Sequence, residues 1–176
     1  MSKSKRVTLF FDGGFREPPK PRATYGVIII SGPETLAELS GKMTLASKMT
    51  SHSAELAALF VGLEWLRANL AEKSFLLKVI GDCKPIIDIM TNGNKNPDHH
   101  LSHLYSKCLE ILSNHPKKWV AKWIPRERNR EADALTRGGK KPKRRHSVLG
   151  AARKQAENKL LEQLELERRE FVTDRD

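Results

Sequence analysis

Apolar residues change their spacing several times along the chain, and each change marks an element. Val7 to Phe11 is an unbroken apolar run closed by Asp12, Gly13 and Gly14. It reads as a buried strand ending in a carboxylate and a glycine break that lets another backbone come close. Pro18, Pro19 and Pro21 exclude the stretch from Phe15 to Arg22 from a sheet interior, so it is expected as a solvent-facing connection. Ala23 to Ser31 carries the run Val27-Ile28-Ile29-Ile30, Gly32-Pro33 supplies a turn, and Thr35 to Thr44 alternates loosely. These are two more strands of an antiparallel meander. From Ser53 to Leu70 the period becomes helical, with Leu56, Phe60, Leu63, Leu66 and Leu70 on one stripe and Thr50 and Ser51 available as caps.

Phe75 to Ile80 is another apolar strand, ending at Gly81-Asp82, and Pro85 suits the first turn of a short helix over Ile86 to Met90 that Asn92-Gly93-Asn94 stops. Asp98 can cap a further helix whose Leu101, Leu104, Cys108 and Ile111 form a stripe. Trp119 to Ile124 is the fifth strand. Trp119 and Trp123 share one face of it and are expected in the core, as is Trp65. Pro125 ends the strand, and Asn129 can cap a helix containing Glu131, Ala132, Asp133 and Leu135. The order β-β-β-α-β-α-α-β-α predicts an α/β fold, a mixed sheet with helices packed on it.

Composition changes after Arg137. Gly138 to His146 holds five basic residues and no acid and reads as a linker, after which Leu149, Ala152, Ala156, Leu160 and Leu164 recur at helical spacing as far as about Phe171. The expected organisation is a folded domain over 1–137, a basic linker over 138–147 and an amphipathic helical tail over 148–176. The linker can be a spacer, an import-like run or an arm that adds phosphate contacts. The tail can pack back on the domain, pair with another copy or dock a partner protein.

With 32 Lys and Arg against 21 Asp and Glu, the net charge of +11 favours a polyanionic partner. No run approaches the roughly 18 to 20 apolar residues that a membrane span requires, and no secretory apolar segment opens the chain, so the cytoplasm is the expected location. Cys83 and Cys108 lack partners at metal or redox spacing and are expected to be reduced and structural. His99 and His103 are spaced i, i+4, but no acid or cysteine nearby completes a metal set, and solvent-facing histidines at a helix start are expected.

Four acids stand out by position: Asp12 and Asp82 at strand ends, Glu55 and Asp133 in the first turns of helices. Singly, each has an ordinary account as a cap or as a complement to a helix dipole. If the first and fourth strands are neighbours, however, all four can meet at one sheet edge. Clustered carboxylates raise one another's pKa and call for divalent cations, Mg²⁺ or Mn²⁺ suiting an all-oxygen set. Two such ions can activate water and steady the leaving oxygen of a phosphodiester.

Thr50-Ser51-His52-Ser53-Ala54-Glu55-Leu56, Gly81-Asp82-Cys83 and the run from Pro125 to Leu135, with its Arg126-Glu127-Arg128-Asn129-Arg130-Glu131-Ala132-Asp133 core, together resemble the type 1 ribonuclease H family. The resemblance spans residues 6 to 137 and is strongest to the branch without the basic protrusion and the loop histidine. It implies a ribonuclease H fold, a five-stranded mixed sheet with the second strand antiparallel. It also implies a metal-dependent endonuclease that cuts the RNA strand of RNA·DNA hybrids and leaves 5′-phosphate and 3′-hydroxyl ends. By that resemblance Asp12, Glu55, Asp82 and Asp133 are the metal-binding catalytic carboxylates, holding two Mg²⁺ or Mn²⁺ ions with Asp12 shared between them. Gly13, Gly14 and Phe15 would offer backbone amides to the RNA sugar, and Lys84 a phosphate or base contact. Ser51 and His52 stand where many relatives carry two asparagines that contact the substrate. A hybrid- or RNA-binding module without catalysis, and a DNA-directed nuclease of the same fold, are the competing readings.

Overall fold

In the strand that starts the domain, Val7, Leu9 and Phe11 are fully buried and alternate with half-buried Thr8 and Phe10, the period of two that puts one face of a strand into a core. A computed structural model describes residues 5–17, 22–43, 49–70, 74–93, 101–138, 158–160 and 162. Its elements are β1 (Lys5–Arg16), β2 (Arg22–Ser31), β3 (Glu34–Met43), α1 (Ser51–Leu70), β4 (Phe75–Gly81), α2 (Lys84–Asn92), α3 (Ser102–Ser113), β5 (Trp119–Trp123) and α4 (Arg130–Thr136). The strands form one sheet in the order β3-β2-β1-β4-β5. β2 runs antiparallel to β1 and β3, whereas β4 runs parallel to both β1 and β5. This is the mixed five-stranded sheet expected from the chain.

α1 crosses β1 and β2 and buries most of its length, Leu56, Leu59, Phe60 and Leu63 among them. Each such side chain contributes about 1.5–3 kcal/mol on burial. Its start is held by a reciprocal cap: the Thr50 amide donates to Ser53 Oγ at 2.8 Å and the Ser53 amide to Thr50 Oγ1 at 3.2 Å. The helix therefore begins at Ser51, two residues earlier than its apolar stripe indicates, and Glu55 falls in the second turn rather than the first. α3 packs on α1 from the side, and α4 lies across β1 and β2. α2 begins at Lys84 with Pro85 in its first turn, and Gly93 ends it at φ 64°, a left-handed position that glycine takes without strain.

Three further expectations are corrected. β1 does not stop at Asp12: it runs to Arg16, and pairing with β2 carries Gly13 opposite Tyr25, Gly14 opposite Thr24 and Phe15 opposite Ala23. Glycines that would end an isolated strand are held in this one by its antiparallel neighbour, so Asp12 is within the strand and the proposed connection shrinks to the residues between Arg16 and Arg22. Trp119 packs against the core, but Trp123 is 43% exposed, because β5 is an edge strand and its last residue has little above it. His103 is half-buried, not solvent-facing. Asp98, His99, His100, the prolines at 18, 19 and 21 and nearly all of the basic linker and tail lie outside the described residues. Within the tail's described part Leu160 is 2% exposed in the core cluster, and Lys159 Nζ lies 3.2 Å from buried Glu64 of α1. No helix among the described residues is long and apolar enough to cross a membrane.

Candidate active site

β1 and β4 are hydrogen-bonded neighbours up to Phe10 opposite Ile80, and beyond that pair they part. Asp12 and Asp82 each stand two residues past the parting, so both carboxylates open into the same cleft at the carboxyl ends of two parallel strands. Glu55 reaches the cleft because α1 approaches β1 closely at Gly13: a Cβ there would lie 2.1 Å from the Glu55 amide nitrogen. Ligand oxygens of Asp12, Glu55 and Asp82 all lie within 4.8 Å of one another.

Burial and mutual repulsion shape the charges. The Asp12 carboxyl is pushed up to about 6, first by burial and then by Asp82 and Asp133. Glu55 is pushed up to about 9, again by burial first and then by Asp12 and Asp82, which outweigh a hydrogen bond from the Gly13 backbone. Glu55 Oε2 is buried and has no hydrogen-bond partner. An orphaned carboxylate oxygen among crowded acids is what a divalent cation would satisfy, and the all-oxygen donor set fits Mg²⁺ or Mn²⁺.

Asp133 is not one of the three. It sits in the first turn of α4, where Arg126 Nη2 donates to Oδ1 at 3.0 Å and Arg137 Nη2 lies 2.8 Å from Oδ2. Burial alone would raise its carboxyl, but the hydrogen bonds from Arg137 and Arg126 prevail and hold it below the ordinary range. The structure thus gathers three of the four predicted acids and pairs the fourth with cations beside them.

A family model described as reverse transcriptase-like matches residues 10–139. The chain belongs to the reverse transcriptase-like family. Among solved structures, this reverse transcriptase-like domain is similar to RNase H1 of the archaeon Halobacterium salinarum, at 26% identity and a TM-score of 0.64 over 75% of this chain and 95% of that one. It is similar to LC11-RNase H1, solved in complex with an RNA/DNA hybrid, at 27% identity and a TM-score of 0.66 over 76% of this chain and 95% of that one. The N-terminal RNase H domain of a Mycobacterium tuberculosis protein, fused to maltose binding protein, matches at 25% identity and a TM-score of 0.65 over 87% of this chain and 99% of that one. The fold is that of the type 1 ribonucleases H. No curated protein sequence matches the chain.

The other predicted residues of this reverse transcriptase-like domain are spread around the acids. Ser51 is exposed at the start of α1. Lys84 is exposed at the start of α2 and ion-paired with Asp88. Phe15 packs partly against the core, and a Cβ on Gly14 would lie 2.5 Å from Thr24 Oγ1. His52 is half-buried, sharing a 2.6 Å hydrogen bond with the Tyr105 hydroxyl through Nε2, while Nδ1 lies 3.8 Å from Cys83 Sγ.

Two residues of the site escape the sequence reading. Asn129, expected as a helix cap, makes no side-chain cap bond. Its amide is 2% exposed and donates to Phe11 O at 2.8 Å and to Asp82 Oδ1 at 2.7 Å, filling the gap where β1 and β4 part. It is a positioning residue for Asp82. Trp123 donates its indole N–H to the Asp82 carbonyl at 2.9 Å, pinning the same residue from the other side. The only signal for Asn129 in the sequence is an amide four residues before Asp133, which a cap would also explain.

Proposed function

We propose that this protein is a divalent-metal-dependent ribonuclease H that hydrolyses the RNA strand of RNA·DNA hybrids, giving 5′-phosphate and 3′-hydroxyl ends. The observation that carries the reading is the triad of buried Asp12 and half-buried Glu55 and Asp82, with its orphaned Glu55 oxygen, where α1 meets the parting ends of two parallel strands. The likeness to LC11-RNase H1, whose structure holds an RNA/DNA hybrid, supports the choice of substrate.

Bound there, Mg²⁺ or Mn²⁺ supplies the positive charge that activates water and steadies the leaving oxygen of a phosphodiester. Asp12, Glu55 and Asp82 would hold one ion, and Asp12 with Asp133, now paired with Arg126 and Arg137, would hold a second. Asn129 keeps Asp82 aimed into the cleft. Ser51 and Lys84, both exposed beside the acids, contact the hybrid, and the backbone at Gly13, Gly14 and Phe15 lines its sugar side. The net charge of +11 draws the polyanion in and binds the DNA strand through its phosphates. No disulfide involves Cys83 or Cys108 among the described residues, which agrees with a reducing cytoplasm.

Incubation with labelled RNA·DNA, RNA·RNA and DNA·DNA duplexes in Mg²⁺ tests the reading, with cutting of the hybrid alone expected. Asp82→Asn should lower cleavage by about a thousandfold or more, on the scale of losing charge stabilisation in a buried site, while hybrid binding by gel shift stays within a few-fold. Cleavage retained in that variant sinks the assignment. Cutting of DNA·DNA would make the protein a DNA-directed nuclease, and hybrid binding without any cutting a binding module.

A further inference from the structure

His52 stands where a substrate-reading side chain is expected, yet its ring is turned inward. Nε2 is engaged at 2.6 Å with the hydroxyl of Tyr105, a residue of α3 that is 2% exposed. Nδ1 faces Cys83 Sγ at 3.8 Å. The ring centroids of His52 and Tyr105 are 6.0 Å apart and tilted by 45°, so the two rings meet edge to edge through their polar atoms rather than stacking.

The three residues come from α1, α3 and the β4–α2 junction, and both α1 and the junction carry an acid of the candidate metal site. His52 lies three residues before Glu55 on α1, on the same face of the helix one turn back. Cys83 directly follows Asp82 and is the N-cap of α2, where its side chain makes no cap bond. A hydroxyl in the core of α3 is thereby linked through one imidazole to the residue after Asp82 and to the turn that delivers Glu55. Ser51, the exposed neighbour, is left to face the substrate.

We infer that His52, held by Tyr105, is a positioning residue of the metal site, wedged between α3 and the β4–α2 junction so that Glu55 and Asp82 keep their separation, and does not read the hybrid. The inference rests on the metal-dependent reading of the triad. Rigid side-chain networks of this kind fix a first set of ligands by leaving them one arrangement.

Titration calorimetry of Mn²⁺ binding without substrate, on the full chain, gives a readout independent of cleavage. Tyr105→Phe keeps the ring and removes the hydroxyl. It should weaken Mn²⁺ binding about fivefold, the effect of one ordinary hydrogen bond, with the thermal midpoint lowered by only about 2–4 °C. His52→Ala should do the same, and the double variant should be no worse than the larger single, because one link is lost in each. In cleavage assays both variants should lower kcat and leave KM within about twofold. A raised KM at unchanged kcat in His52→Ala would make His52 a substrate contact and overturn the inference. So would additive losses in the double variant, or unaltered Mn²⁺ binding in Tyr105→Phe. Absence of any hybrid cleavage by the native chain would defeat the proposed activity while the calorimetry still decides this point; absence of Mn²⁺ binding by the native chain would defeat the inference itself.

Discussion

Asp12 and Glu55 hold their protons to unusually high pH, about 6 and about 9, because they are buried beside other acids. The sign of the consequence follows from proton counting. Below the ordinary carboxylate range both groups are protonated in the folded and unfolded chains alike, and their contribution to stability is complete. As pH rises through the folded values, the unfolded chain has already released protons that the folded chain keeps, and stability is lost. Without metal, the thermal midpoint should fall as pH rises from about 5 to about 9. Glu55→Gln should flatten that fall, and an unchanged slope in the variant would rule out Glu55 as its source. Divalent cations need the ionised ligands, so the midpoint gained from Mg²⁺ should grow with pH. The acids themselves were legible as residues, because each sits at a strand or helix boundary inside a recognisable run. Asn129 was not, since its partners Phe11 and Asp82 are brought to it only by the sheet. Trp123 was misplaced because alternation tells which face a residue is on, not that β5 is an edge.

Among the elements, the contact of α1 with β1 sets the site. Gly13 is the point of closest approach, and a methyl group there would sit 2.1 Å from Glu55 N and 2.2 Å from the Ala54 carbonyl carbon. Backbone atoms cannot yield as a side-chain tip can. Gly13→Ala should therefore cost about 1–3 kcal/mol of stability, as overpacking does, and cut hybrid cleavage by tenfold or more as Glu55 is displaced. Denaturant midpoints and kcat of the variant check both; a variant as stable and active as the native chain would mean that α1 sits further from β1. The two strands and the helix were each legible from period and punctuation. The extent of β1 was not, because glycine and proline signal a break locally while the hydrogen bonds of β2 continue the strand to Arg16.

At the scale of the whole molecule, the division into a domain and a separate tail does not describe the packing of Leu160, which lies in the same core as α1 and α3. Lys159 from the tail and Arg67 from α1 share the buried Glu64 carboxylate, at 3.2 and 2.9 Å. Leu160→Ala should lower stability by about 2–5 kcal/mol, the range for emptying a packed leucine site, and the chain should sediment at the same mass as the native protein. A loss of mass without loss of stability would assign Leu160 to contacts between copies instead. The tail's apolar stripe is a pattern of the sequence, and such a stripe alone does not say which surface it meets.

The bond from Asn129 to Phe11 joins residues 118 positions apart in the chain. Closing so long a loop carries an entropic penalty that local elements do not face, and topologies rich in such contacts fold more slowly. Three of the acids belong to the first half of the sequence, yet the amide that holds Asp82 arrives with α4. A partly synthesised chain that ends before Asn129 carries Asp12, Glu55 and Asp82 but not the amide that holds Asp82 to the backbone of β1, and a growing polypeptide of this kind lacks that tie until β5 and the start of α4 have emerged.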